Sequence, residues 1–160
     1  MEIPLSYFTL QYELIQQSRA VLLTYCKTVA PADLVREQAA FGRGGSMRNL
    51  LVHIANTYEF WIGKHALQSE VDFTTYESQK NVASITTLFE RVDGMMLRFI
   101  DRLENVSPEM FEYEINGVKG SAAPFTLFTH VITHEFHHKG QILSISRQMG
   151  YTPVDTDVMR

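Results

Sequence analysis

Apolar residues recur at three- and four-residue steps in four long segments, which is the spacing of one face of an α-helix. The segments run from about Leu5 or Ser6 to Val29, from Met47 to about Gln68, from Ser84 to Val106 and from Pro124 to Met149. Long polar connections precede the third and the fourth segment. The pattern predicts one domain over residues 1–160 with an all-α fold, an antiparallel-type four-helix bundle with long crossover connections.

Residues suited to helix ends and turns mark the borders of these segments. Ser46 and Ser84 are predicted N-caps, because a serine hydroxyl can accept a hydrogen bond from an unpaired amide of the first turn. Pro124 suits the first turn of the last helix, where its missing N–H costs nothing. Asn116 and Gly117 suit a tight turn with positive φ, so a short two-stranded ribbon is an option between the third and fourth helices.

Composition and charge narrow the class of protein. The chain is 45% hydrophobic and 20% charged, as in a soluble globular domain. A net charge of -4 without a dense run of Lys or Arg argues against nucleic acid as a partner. No apolar run is long enough to span a bilayer and no signal peptide is evident, so we expect no membrane partner and a cytoplasmic protein. The single cysteine, Cys26, fits a reducing compartment and is predicted to be a buried structural thiol.

Two histidines interrupt the apolar stripe of the last segment. The stripe consists of Leu127, Val131, Ile142, Ile145 and Met149. His134 and His138 occupy the intervening positions, and side chains four residues apart lie on one face, because a helix has about 3.6 residues per turn. Two such imidazoles can bind one metal ion. His53, at the edge of the apolar stripe of the second segment, is the candidate third ligand from a facing helix.

The choice of histidines remains open on spacing alone. Four of the six histidines lie within two turns of the last segment, so His130 with His134, or His134 with His137, are alternative pairs. The alternative without metal is a hydrogen-bonded pair in the core, because each buried imidazole nitrogen needs a partner.

A metallopeptidase motif overlaps the same histidines. Residues 134–138, HEFHH, match the H-E-x-x-H pattern in which Glu135 would be the general base. That motif needs a further ligand downstream, and only Asp155 and Asp157 follow in a short tail. A peptidase is therefore a minor alternative.

Two sequence motifs together resemble those of a known family. GGSMRNLLVHIANTYEFW and HVITHEFHHKGQI, followed by Gly150 and an acidic tail, are similar to segments of the DinB family, which includes the YfiT-like metalloenzymes. The likeness extends over nearly the whole chain, although Lys139 stands where many relatives have Arg and residues 125–126 match only loosely. The resemblance implies a four-helix bundle, often dimeric, that binds a divalent metal ion through His53, His134 and His138.

The resemblance also implies a class of chemistry. Family members with known activity are S-transferases or isomerases that use a low-molecular-weight thiol such as bacillithiol or mycothiol. Others are described as hydrolases. The expected function is therefore metal-dependent transfer of a thiol co-substrate to an electrophilic small molecule, with zinc or nickel as the ion because imidazole suits both. The alternatives are a hydrolase that uses a metal-bound water and a non-catalytic, stress-associated bundle that binds metal.

Polar neighbours of the three histidines are candidates for supporting roles. Asn49, Asn56 and Gln141 lie within one helical turn of the proposed ligands, so each is predicted to orient an imidazole or the substrate. The broad apolar surface of the first segment, in which Leu10 and Leu14 extend the main stripe, indicates a homodimer.

Overall fold

The structure, a computed structural model, describes residues 6–41, 45–105 and 110–160. In these residues it has five α-helices and two strands: α1 (Ser6–Cys26), α2 (Pro31–Val35), α3 (Met47–Tyr58), α4 (Val82–Asn105), β1 (Phe111–Ile115), β2 (Val118–Ala122) and α5 (Pro124–Gln148). Helix α3 continues directly into a π-helical segment, Glu59–Ala66. The fold is mostly helical, and the small antiparallel sheet corrects the expectation of an all-α chain.

The four long helices pack on one another around a shared core. Helix α1 contacts α4 and α5, and α3 contacts the same two helices. Each long helix contributes fully buried apolar side chains, among them Leu22, Ile54, Phe99 and Phe128. Burial of such a side chain contributes about 1.5–3 kcal/mol, so this packing holds the helices at a fixed separation. The contact between α3 and α5 brings the second and fourth predicted segments side by side.

The predicted ribbon is present as an antiparallel hairpin. Strands β1 and β2 pair from Phe111 with Ala122 to Ile115 with Val118. The turn residues Asn116 and Gly117 have φ values of 52° and 79°, and positive φ at both positions is the requirement of a type I′ hairpin turn.

The N-cap of α3 is confirmed and that of α4 is not. The Ser46 hydroxyl accepts a hydrogen bond from the Asn49 amide at 3.1 Å. Helix α4 begins earlier than predicted, because the Asn81 carboxamide accepts from the Ser84 amide at 2.9 Å and thus places Ser84 inside the first turn. Asparagine and serine are comparable caps, and only the geometry distinguishes them.

One predicted helix end is also wrong, and one predicted helix changes type along its length. Helix α1 ends at Cys26 rather than at Val29. The hydroxyl and the amide of Thr28 both donate to the Tyr25 carbonyl, and these bonds form a turn after the helix. The second predicted segment changes from α- to π-helix after Tyr58 and ends at Ala66. The predicted residues Leu5 and Val106 lie outside the described part of the chain.

The last ten residues form neither helix nor strand, and side-chain hydrogen bonds hold them at two points. The Tyr151 hydroxyl donates to Asp33 at 2.7 Å and accepts from the Ala30 amide. Further along, the carbonyl of buried Thr156 accepts from the Ser18 hydroxyl.

Among the helices that the structure describes, none combines the length and the apolar character needed to cross a membrane.

Candidate metal centre

His53 of α3 and the pair His134 and His138 of α5 meet where these helices pack. One ligand nitrogen from each residue lies within 4.8 Å of the other two. The ring centroid of His53 is 5.0 Å from that of His134 and 4.8 Å from that of His138, and the two α5 rings are 4.4 Å apart. All three are partly buried. The structure therefore brings the three predicted residues together in a group that could hold a metal ion.

The facing nitrogens of the α5 pair test whether a metal ion would fit. The Nε2 atoms of His134 and His138 are 3.1 Å apart. Two imidazole nitrogens that bind one Zn²⁺ at about 2.0–2.1 Å would be separated by about 2.9–3.4 Å, depending on the coordination angle. The observed spacing fits a shared ion and also fits one N–H···N hydrogen bond. A third imidazole from His53 at the same point favours the ion, because one shared proton cannot satisfy three rings.

Gln141 orients one of the three rings. Its Oε1 atom lies 2.6 Å from Nδ1 of His138. Because an amide oxygen can only accept, Nδ1 carries the proton and the Nε2 lone pair is free to bind a metal ion. The amide nitrogen of Gln141 lies 3.3 Å from Nε2 of His137. The predicted supporting role of Gln141 thus agrees with its contacts.

The two asparagines contact other groups. The Asn49 side chain accepts from Arg48 and donates to Glu37, away from the histidines. Asn56 donates to the Thr74 carbonyl at 2.9 Å and accepts from the Thr74 amide at 3.1 Å. Asn56 therefore attaches the long connection before α4 to α3. Neither asparagine bonds to an imidazole in these contacts, and a role of either one toward the substrate stays a prediction.

The other histidines of the alternative pairs, His130 and His137, are not part of the cluster. His130 is exposed, with its ring centroid 5.9 Å from His134, and it packs edge-on against Trp61 at 5.1 Å. His137 is also exposed, and its ring lies beside His138 and Gln141.

Burial keeps the imidazoles of the cluster neutral. It lowers the pKa of His53 and of His138 below the usual value. The pKa of His134 falls to about 3, first because of burial and then because of the neighbouring histidines. Metal binding needs neutral imidazoles, so the cluster is in the competent protonation state at neutral pH.

Glu135 belongs to a buried ionic network that sequence reasoning missed. Its carboxylate accepts from Nε and Nη2 of Arg19 at 3.0 and 2.8 Å and from the Tyr58 hydroxyl at 2.7 Å. Nζ of Lys139 lies 3.0 Å from Oε1 of the same carboxylate, the oxygen that also accepts from Arg19 Nε. Burial raises the pKa of Glu135, but Arg19 and Lys139 outweigh it and hold the pKa at about 2. The carboxylate is therefore ionised.

These contacts remove the basis of the metallopeptidase alternative. Glu135 has no exposed surface, and both of its oxygens are bonded to Arg19, Lys139 or Tyr58. It cannot act as a base on a water held by its histidine neighbours. Asp155 and Asp157 are exposed on the tail, where the Asp155 carboxylate accepts from the Asp157 amide, and neither belongs to the group of possible ligands among the described residues.

The network continues into α1, α4 and the tail. Arg19 also pairs with Asp93 at 2.6 Å, and Lys139 donates to the Ser18 hydroxyl at 2.8 Å, which in turn holds the Thr156 carbonyl. The sequence carries a sign of this arrangement: Arg19 stands at the gap between Ile15 and Leu22 on the apolar grid of the first helix. A charged residue at a core position of a helix implies a buried partner.

Comparisons with known proteins identify the family of the chain. A family model described as "DinB family" matches residues 5–160. The uncharacterized protein YizA of Bacillus subtilis (strain 168) is 25% identical over 153 residues, which cover 89% of this chain and 88% of that protein. The chain belongs to the DinB family.

Proposed function

We propose that this member of the DinB family binds one divalent metal ion, zinc or nickel, through His53, His134 and His138. The observation that carries the proposal is the convergence of three neutral imidazoles from two helices on one point. The packing of α1, α3, α4 and α5 supports the further inference that the fold is an antiparallel-type four-helix bundle with long crossovers. That arrangement would hold the ligands of α3 opposite those of α5.

We further propose that the protein transfers a low-molecular-weight thiol to an electrophilic small molecule. When bound, a dication on three neutral ligands would keep its full charge and open positions, and would favour the thiolate form of a thiol. His138, whose Nδ1 is held by Gln141, would bind the ion through Nε2. The charge of the thiol would thus be balanced at the site without a carboxylate.

Thiol transfer is preferred over hydrolysis on one observation. In the described residues, the metal-ligating group contains only the three histidines, and the adjacent carboxylate of Glu135 is bonded within the core. Activation of water usually calls for a general base beside the metal, whereas a metal-bound thiolate is already a nucleophile. A hydrolase and a non-catalytic metal-binding bundle are the competing functions. The non-catalytic bundle predicts a closed coordination shell and no exchangeable ligand.

The deciding experiment compares the metal content of purified, untagged protein with that of two variants. We expect near-stoichiometric zinc or nickel in the parent and in His137→Ala, whose ring is exposed and outside the cluster. We expect little metal in His53→Ala. Equal metal content in all three proteins, or none in any of them after reconstitution, would refute the site. Metal-loaded protein is then incubated with common cellular thiols and a chromogenic electrophile, and a rate no higher than that of free thiol would refute the transferase function.

We also propose that α1 forms a homodimer with a second copy of the chain. Three large apolar side chains, Tyr7, Leu10 and Leu14, share one face of α1 and are 57%, 54% and 41% exposed. Such a surface on one helix is costly in water unless a partner covers it. Analytical ultracentrifugation of the full chain tests this proposal.

A further inference from the structure

We infer that three aromatic side chains beside the histidine cluster, Trp61, Tyr113 and His130, form an aromatic wall that binds a planar, apolar group of the substrate. The inference rests on the proposed function, since it concerns the substrate of the same site. It assigns a specificity role to residues outside the metal-ligating group, and it names the substrate class as an electrophile that carries an aryl or similarly flat substituent.

The rings of the aromatic wall form a continuous path to the cluster. Trp61 packs edge-to-face on Tyr113, with centroids 5.2 Å apart and an interplanar angle of 80°. It packs in the same way on His130, at 5.1 Å and 74°. The ring of His130 is 5.9 Å from that of His134. A ligand bound at the histidine cluster is therefore within reach of His130 and, beyond it, of Trp61.

The aromatic wall is not part of the closed core. His130 is exposed, and Trp61 and Tyr113 are only partly buried, whereas the aromatic residues between the helices, such as Phe99 and Phe128, have no exposed surface. Large aromatic side chains left in contact with solvent are typical of binding surfaces. Their position next to three convergent imidazoles points to a ligand of that site.

The backbone that carries Trp61 departs from regular geometry. Trp61 lies in the π-helical segment Glu59–Ala66, and π-helical turns within α-helices are frequent at functional sites. The segment lies close to α4: a Cβ on Gly63 would be 2.9 Å from the Met95 sulfur. The segment that carries Trp61 is therefore packed tightly against α4 at Gly63.

A glycine on the hairpin leaves the space that the ring of Tyr113 occupies. Gly120 pairs directly with Tyr113 across the two strands. A Cβ on Gly120 would lie 2.5 Å from Cζ of the tyrosine, so the ring occupies the space that any other residue would fill. The missing side chain at position 120 therefore lets the phenol ring lie across the ribbon and reach Trp61. A rigidly placed aromatic ring loses little conformational entropy when it binds a ligand.

The experiment measures the affinity of zinc-loaded protein for two metal-binding probes that differ in one group. Acetohydroxamate and benzohydroxamate have the same chelating group, and only the second has an aromatic ring. We expect wild-type protein to bind benzohydroxamate more tightly by about 2- to 12-fold, the range of an aromatic pair contact, as measured by isothermal titration calorimetry. Trp61 is the one tryptophan of the chain, so its fluorescence should also change with benzohydroxamate.

Three variants test which residues are responsible. Trp61→Leu removes the central ring, and Gly120→Ala displaces Tyr113 without altering any ring; both should lose most of the preference for benzohydroxamate while acetohydroxamate binds as before. Phe125→Leu is the matched control, because Phe125 is 49% exposed on the same helix as His130 but packs against Phe8. It should keep the preference.

Each outcome separates the wall from the metal site. If acetohydroxamate binds but wild type shows no preference for benzohydroxamate, or if the preference is unchanged in Trp61→Leu and Gly120→Ala, the aromatic wall is refuted and the metal site stands. An equal loss in Phe125→Leu would also overturn the assignment. If zinc-loaded protein binds neither probe, the open coordination positions of the proposed function are refuted, and this inference with them.

Discussion

Replacing Glu135 with glutamine should be the most destabilising single change of charge in the core. Glu135 and Lys139 are 0% and 1% exposed, and Arg19 is 3% exposed. The variant leaves Lys139 without its carboxylate partner and Arg19 with Asp93 alone. Loss of one partner from a buried ion pair costs about 3–5 kcal/mol, because the remaining charge stays desolvated. At about 2–4 °C per kcal/mol for a chain of this size, we expect the Tm to fall by about 6–20 °C.

The free energy of unfolding should be measured by chemical denaturation in the presence of a chelator, so that metal binding does not contribute. Arg36→Met is the control: its salt bridge with Asp33 has an arginine that is 59% exposed, and such pairs contribute about 0–1 kcal/mol. A Glu135→Gln variant that loses less than about 1 kcal/mol would refute the assignment of a strongly coupled buried network.

A triple replacement separates the cost of a broken network from the value of an intact one. Changing Arg19 to Met, Glu135 to Leu and Lys139 to Met removes all three charges and fills their volume with apolar atoms. Buried ionic groups replaced in this way often leave stability unchanged or raised by about 1–4 kcal/mol. We therefore expect the triple variant to be more stable than Glu135→Gln alone.

Helical periodicity together with the family resemblance predicts the histidine cluster, and periodicity alone also marks one of its buried neighbours. His134 and His138 were found because they interrupt an apolar grid, and the same test applied to Arg19 on the first helix would have marked it. Its partner Glu135 is 116 residues away, however, and no local pattern specifies which two helices face each other at that depth. Which residue pairs with a buried charge therefore depends on how the helices pack.

The limits of the other predictions have local causes. The hairpin was predictable because Asn116 and Gly117 are among the few residues that accept positive φ, as both do here. The π-helical segment was not predictable, since the apolar residues of Glu59–Ala66 follow the same three- and four-residue steps in the sequence as those of an α-helix. Asn56 lies at the right spacing to touch the site but bonds to Thr74, whose position depends on how the connection folds back.

Three further predictions follow from buried or surface groups. Cys26 is 1% exposed and burial raises its pKa to about 12, so it should not react with Ellman's reagent at pH 8 until the protein is unfolded; rapid reaction of native protein would contradict its burial. Asn56→Ala should speed hydrogen exchange at the Thr74 amide, measured by mass spectrometry, and unchanged protection would show that the connection is held elsewhere. Leu10→Glu should convert the proposed homodimer to monomer in ultracentrifugation, and a monomeric parent would refute the dimer.

Acidification should destabilise the metal-free protein through two groups that titrate in different ranges. The folded pKa of His134 is about 3, below its unfolded value of about 6.5, so the unfolded chain binds the proton first and stability falls as pH decreases between these values. The folded pKa of Glu135 is about 2, below its unfolded value of about 4.3. Its contribution is complete above pH of about 4.3 and is lost as pH falls towards 2. Protonation of His134 therefore lowers the stability over the first part of the decrease in pH, and protonation of Glu135 lowers it over the last part.

The two contributions can be separated by measuring the free energy of unfolding against pH in wild type and two variants, all with chelator. His134→Gln should be less sensitive than wild type between pH 7 and 5, where the lowered pKa values of His53 and His138 leave a residual slope of the same sign. Glu135→Gln, although less stable throughout, should keep the wild-type slope in that range and lose part of it below pH of about 4. A wild-type profile that is flat from pH 7 to 5 would mean that the cluster accepts protons when folded as readily as when unfolded. The imidazoles would then lack the desolvation that keeps them neutral and ready for a metal ion.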